Sequence, residues 1–107
     1  MFVAKVTGTL VCTQKTEAMR GQRLLIVEPY RVTEDRTEMK TTGRTLVAVD
    51  TCGAGEGEYV LICQGSSARM TPETQKLPVD TVVIGIVDSV HVATACVYSK
   101  EQRPNNY

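Results

Sequence analysis

The residues with the clearest capacity for chemistry lie in Gly65-Ser66-Ser67-Ala68-Arg69. A nucleophile elbow has the form GxSxG, holding a serine on a strained strand-to-helix turn. Here position 69 is Arg. A serine nucleophile also needs a base. The only histidine is His91, with Asp80 and Asp88 nearby in sequence. Triads are defined by geometry rather than by inventory, and no motif links these residues. A small hydrolase using Ser66 or Ser67 with His91 is therefore the weakest functional reading. The plainer one is a turn in which Ser66 or Ser67 satisfies free backbone donors, while Arg69 offers a planar fork to a carboxylate.

A second unusual stretch is Asp50-Thr51-Cys52-Gly53-Ala54-Gly55-Glu56-Gly57-Glu58. A phosphate loop would follow its last glycine with Lys and Ser or Thr at the start of a helix. Glu58 follows instead, a strand begins, and two carboxylates would repel a phosphate, so no nucleotide site is expected. Glycines allow positive φ and close backbone approach, which a tight loop packed against another copy would need, with Gly55 as the test position.

Cys12, Cys52, Cys63 and Cys96 form no CxxC pair. With a single histidine they read as small apolar residues in a reduced core, not as zinc ligands or disulfides. His91, flanked by Val90 and Val92, reads as a partly buried strand residue. Asp50, Asp80 and Asp88 sit at strand ends or kinks and read as acceptors of backbone hydrogen bonds. The residues thus imply no enzyme, no metal and no cofactor.

The elements that position these segments follow a period of two. In residues 2–13, Phe2, Ala4, Val6, Leu10 and Cys12 fall on one side and Lys5, Thr7, Thr9 and Thr13 on the other, the pattern of a half-buried strand. Val3 and Val11 interrupt the polar side, which suits a strand covered there by another element or subunit. Further strands are expected at Arg23–Val32, Thr45–Asp50 and Glu58–Cys63. The span Val79–Tyr98 is β-branched and should be bent at Gly85 or Asp88-Ser89. Thr71-Pro72-Glu73-Thr74 reads as an N-cap, a first-position proline and an acidic first turn, ended by Pro78. Gln14–Gln22 and the mixed-charge Thr33–Gly43 read as loops. The expected fold class is mainly β, a small five-stranded OB-like β-barrel with one short helix. It would occupy residues 1–98, ahead of a polar C-terminal tail at 99–107.

Composition narrows the function classes. The 107 residues suit one domain, with 42% hydrophobic and 22% charged residues. Twelve basic residues balance twelve acidic ones, whereas nucleic-acid binders carry a basic excess that displaces counterions from phosphates. Trp is absent, and Phe2, Tyr30, Tyr59, Tyr98 and Tyr107 would make a thin stacking platform. No apolar run approaches the ~20 residues that span a bilayer, and the start of the chain reads as a strand rather than a leader. A cytosolic location is expected, with no nucleic-acid and no membrane partner.

Taken in order, several segments resemble the EutN/CcmL family of bacterial microcompartment vertex proteins. They are Lys5-Val6-Thr7-Gly8-Thr9-Leu10-Val11-Cys12-Thr13-Gln14-Lys15, Gly21-Gln22-Arg23-Leu24-Leu25-Ile26-Val27 and Val47-Ala48-Val49-Asp50. Gly53 to Leu61, Gly65 to Arg69, Pro78-Val79-Asp80 and Gly85-Ile86-Val87-Asp88 complete the set. The resemblance runs from residue 1 to about residue 98. It implies an OB-like barrel that forms a homopentameric ring at the corners of a polyhedral protein shell in the cytoplasm, beside hexameric shell proteins. On that resemblance, Gly53, Ala54, Gly55, Glu56, Gly57, Glu58, Gly65, Ser66, Ser67, Ala68 and Arg69 are the expected subunit contacts or pore edge. The alternative is an OB-type module binding a ligand or single-stranded nucleic acid, since one barrel serves many functions.

Overall fold

A computed structural model of the chain describes residues 1–12, 17–19, 21–70, 72, 80–92 and 95–100. Its strands are β1 (Phe2–Leu10), β2 (Leu24–Val32), β3 (Met39–Thr41), β4 (Leu46–Asp50), β5 (Tyr59–Gln64), β6 (Thr81–Ile86), β7 (Ser89–Val92) and β8 (Ala95–Ser99). Short 3-10 turns occupy Glu17–Met19 and Gly65–Arg69.

Six strands form one sheet in the order β1-β5-β6-β4-β2-β3, and β1 also pairs with β2. That extra pairing closes five strands into a ring, leaving β3 as an appendage on β2. All of these pairs are antiparallel except β4 with β6, which is parallel. This is the five-stranded, OB-like barrel that the alternation predicts. Closure matters because it consumes the backbone edges that an open sheet would leave unpaired.

The interior is filled by Ala4, Val6, Leu25, Val27, Ala48, Ala54, Val60, Ile62 and Val83, all at most 1% exposed. All but Ala54, which reaches in from the β4–β5 loop, are inward positions of strands. A second small core, Val49, Ala68 and Val82, lies with Met19, Leu24, Cys63 and Ile84 packed against it.

Three sequence expectations change. The inward side assigned to β1 fails after Val6, because the β1–β2 register shifts between Val6 and Gly8. One extra residue flips every later side chain to the opposite face, so Leu10 is 37% exposed. The charged loop Thr33–Gly43 contains β3, paired Tyr30 with Thr41 and Val32 with Met39. Charge in that segment reflects a short edge strand, a common defence against edge-to-edge pairing. The loop Gln14–Gln22 carries the turn at Glu17–Met19. The span Val79–Tyr98 breaks between Ile86 and Ser89, as the Asp88-Ser89 pair suggests, and the β5–β6 register shifts next to Gly85, where Leu61 pairs with Gly85 but Ile62 with Val83, the bulge expected of that glycine. The short helix expected after Thr71 falls outside the described residues.

β7 and β8 form a separate two-stranded ribbon. Isolated hairpins are marginal in water, and this one is anchored. Tyr98 packs on Tyr59 with ring centroids 4.4 Å apart, and Tyr59 meets Tyr30 edge-on at 5.2 Å. Lys5 Nζ sits 5.8 Å from the Tyr59 ring centre, a favourable cation–π placement. Lys100, beyond the expected end of the barrel domain, donates its backbone N–H to Asp88 O.

Candidate functional site

The loop between β4 and β5 is fixed by two carboxylates. At the end of β4, Asp50 turns its side chain back under the loop. Its Oδ1 accepts from the N–H groups of Cys52 and Gly53 at 2.9 and 3.1 Å, and its Oδ2 from that of Ala54 at 3.0 Å. Arg23 Nη1 donates to Asp50 Oδ2 at 2.8 Å and to Ala54 O at 2.7 Å. The Asp50 side chain is only 1% exposed, so this network meets the demand that a buried charge be paired and hydrogen-bonded.

At the far side of the loop, Glu58 plays the matching part. Its Oε1 accepts from Gly55 N–H at 2.6 Å, and its Oε2 from Lys100 Nζ at 2.7 Å. That second bond raises the Lys100 pKa above its ordinary value. Gly57 N–H and Glu58 O then bond to Val6 at 2.8 and 2.9 Å, continuing the β1–β5 ladder. The loop therefore has a definite shape within a single chain.

Positive φ occurs at Gly53 and Gly57, at 78° and 88°, and not at Gly55. The conformational demand expected of Gly55 thus belongs to its neighbours. A Cβ at Gly55 would meet Glu58 Oε1 at 3.7 Å, an ordinary contact. Ala54 points into the barrel core, while Gly53 and Glu56 are exposed.

Gly65 to Arg69 form the 3-10 turn that caps the second core. Gly65 adopts φ 70° and donates to Asp80 O at 2.8 Å. Ala68 is wholly buried against Val49 and Val82, and Ser66 is exposed. The expected Arg69 fork and a role for the Ser67 hydroxyl rest on side chains outside those described.

Among the described residues, no hydrogen bond links His91 to Ser66, Asp80 or Asp88. His91 is exposed on β7, not partly buried, and its Nε2 lies 3.1 Å from Ser89 Oγ. Of the three aspartates, Asp50 binds loop amides through its carboxylate, whereas Asp80 and Asp88 accept backbone N–H groups through their carbonyls. Among the described residues, no three His, Cys, Asp or Glu side chains group to hold a metal. Cys52 and Cys96 are exposed, Cys12 is half-buried, and Cys63, also half-buried, packs against the second core, so the core location expected of all four is approached only by Cys63. Arg23 and Lys100 were not singled out by sequence. Both partner carboxylates 27 and 42 residues away, beyond the reach of local pattern.

Residues 1–88 match the protein family described as ethanolamine utilisation protein EutN/carboxysome. The bacterial microcompartment shell vertex protein GrpN of Rhodospirillum rubrum is 44% identical over 90 residues, covering 84% of this chain and 96% of that protein. The solved structure of Gloeobacter violaceus CcmL superposes with a TM-score of 0.84 at 38% identity, covering 95% of this chain and all of that one. A structure described as the GrpN pentameric microcompartment shell protein from Rhodospirillum rubrum gives a TM-score of 0.70 at 41% identity, covering 88% and 100%. With the closed barrel and the carboxylate-braced loop in place, the chain belongs to the EutN/CcmL family.

Proposed function

We propose that this chain is a structural shell protein that assembles into a pentamer and caps the vertices of a polyhedral bacterial microcompartment in the cytoplasm. The observation that carries the reading is its likeness, over most of both chains, to proteins described as shell vertex proteins, one of them described as pentameric. Its physical logic is closure. A unit with two unlike patches, set at the right angle, returns to its start after a fixed number of copies.

The geometry supports this role over a catalytic one. The β4–β5 loop spends the Asp50 and Glu58 carboxylates on its own backbone, Arg23 and Lys100, which gives it a fixed shape and leaves the Asp50 carboxylate nothing to offer a substrate. Gly53 to Glu58 and Gly65 to Arg69 are the proposed subunit contacts or pore edge, with Ala54 and Ala68 anchoring those segments from inside. Hexameric shell proteins are the proposed neighbours of the ring. An oligonucleotide-binding role is disfavoured by the neutral charge and by Tyr30 and Tyr98, which both pack against Tyr59.

Native mass spectrometry of the purified chain at micromolar concentration tests the reading. The expected species is a pentamer, each interface burying at least ~1,000 Å²; a monomer would refute it.

A further inference from the structure

Strands β2 and β4 are apolar on both faces. Leu25, Val27 and Ala48 point into the barrel, as the 0–1% exposures show. Leu24, Ile26, Val47 and Val49 point outward. Strands that read apolar on both sides are those covered on both sides.

The register assembles these outward residues into rows, because cross-strand partners share a face. Gly8 lies opposite Ile26, and Ile26 opposite Val47. In the next row Leu10 faces Leu24, and Leu24 faces Val49. The β-bulge that expels Leu10 from the core is what delivers it to this face.

The chain covers only part of it. The Gly65–Arg69 turn buries Val49 to 2% exposure, yet Val47 remains 46% exposed and Leu10 37%. A recess of about 250 Å³ opens between Met19, Leu24, Val47 and Asp80. Val11, one residue past β1, is 88% exposed. On the other side the apolar rows stop at Lys5 opposite Glu28.

We infer that this outward β1–β2–β4 face is the apolar centre of the contact between neighbouring copies of the chain. The inference rests on the ring reading and identifies which surface makes the ring. A second copy is the occupant for three reasons. The chain is formally neutral, so copies approach without repulsion. The rows themselves are apolar, with the Glu56 carboxylate beside Gly8 and Asp80 at the recess on their margins, the pattern of an interface centre with a polar rim. It is also continuous with the Gly65–Arg69 turn, while a solved relative at 41% identity is described as pentameric.

The test is thiol accessibility in the assembled protein. Val47→Cys and, as a reference, Glu34→Cys on the exposed β2–β3 connection are each made with Cys52→Ser and Cys96→Ser, and alkylation is read by peptide mass spectrometry. Position 47 should label at least ten-fold more slowly than position 34 within the pentamer. Equal rates in an intact pentamer overturn this inference and leave the ring reading standing. A wild-type chain that is monomeric overturns both. As a second arm, Val47→Asp should give a monomer by native mass spectrometry with an unchanged circular dichroism spectrum; a persisting pentamer overturns the inference.

Discussion

Arg23 Nη1 lies 2.8 Å from Oδ2 of Asp50, and the same nitrogen reaches the Ala54 carbonyl, so one guanidinium ties the end of β4 to the middle of the next loop. Strand β2 thereby holds a segment that begins 27 residues later. The arrangement is asymmetric in burial: the Arg23 side chain is 48% exposed and that of Asp50 1%. Water can replace Arg23 more easily than anything can replace the carboxylate.

Asp50→Ala should accordingly cost about 2–4 kcal/mol, since it strands three loop amides and one cation. Asp50→Asn keeps an acceptor oxygen and should cost about half as much. Urea denaturation with the slope held constant separates the two, and equal midpoints for wild type and Asp50→Ala would show that the network contributes nothing.

Gly53 and Gly55 should respond differently to the same methyl group. Gly53→Ala places a Cβ at φ 78° and should cost about 1–2 kcal/mol. Gly55→Ala meets only a 3.7 Å contact and should stay within about 0.5 kcal/mol. Thermal unfolding of both variants checks the order, and the reverse order would mean that backbone conformation is not what the loop glycines supply.

Tyr98 carries a buried hydroxyl with no hydrogen-bond partner among the described residues. Removing it while keeping the ring should leave the packing on Tyr59 intact. Tyr98→Phe is therefore expected to stabilise the chain by up to about 1 kcal/mol. A loss of 1 kcal/mol or more in denaturant unfolding would reveal an unseen partner.

Two charged groups set the pH response, in opposite directions. The Asp35 carboxyl is held below its ordinary 3.8 by the Thr33 hydroxyl first and then by Thr37. A lowered value contributes stability that is present above 3.8 and lost as pH falls through the folded value. Lys100 is raised above 10.5, first by its hydrogen bond to Glu58. Its contribution is complete below 10.5 and lost as pH rises through the folded value. At neutral pH both act fully. The protection factor of the Thr37 amide, whose N–H donates to Asp35 Oδ1, should fall only in acid, and the β7–β8 ribbon should loosen only in strong alkali or in Lys100→Met. A Thr37 protection factor unchanged between pH 5 and 2, taken as roughly the range where a lowered carboxylate titrates, would contradict the Asp35 part.

The strands were legible because alternation is local. Ala4, Val6, Val60 and Ile62 can each be placed in the core from their neighbours alone. Leu10 could not, because the bulge after Val6 is set by pairing with β2, not by anything in the segment. The three residues of β3 were hidden by Lys40 and by the charges on either side, which belong to an edge rather than a loop. In the β4–β5 loop the glycines and Asp50 announced a tight, hydrogen-bonded turn. Which glycines take positive φ depends on where Glu58 and Val6 grip the backbone, and Lys100 is too distant in sequence to be foreseen.

The parallel pairing of β4 with β6 has a consequence for biosynthesis. Strand β6 is the shared neighbour of β4 and β5, and it ends at residue 86 of 107. A nascent chain must therefore have β6 clear of the ribosome before its hydrogen-bonded ring can shut, because non-local pairing waits on the last participant. Until then Leu24–Val27 and Leu46–Val49 are bare to the translation machinery and its chaperones. Topology thus imposes an order: β6 emerges first, and closure of the ring follows.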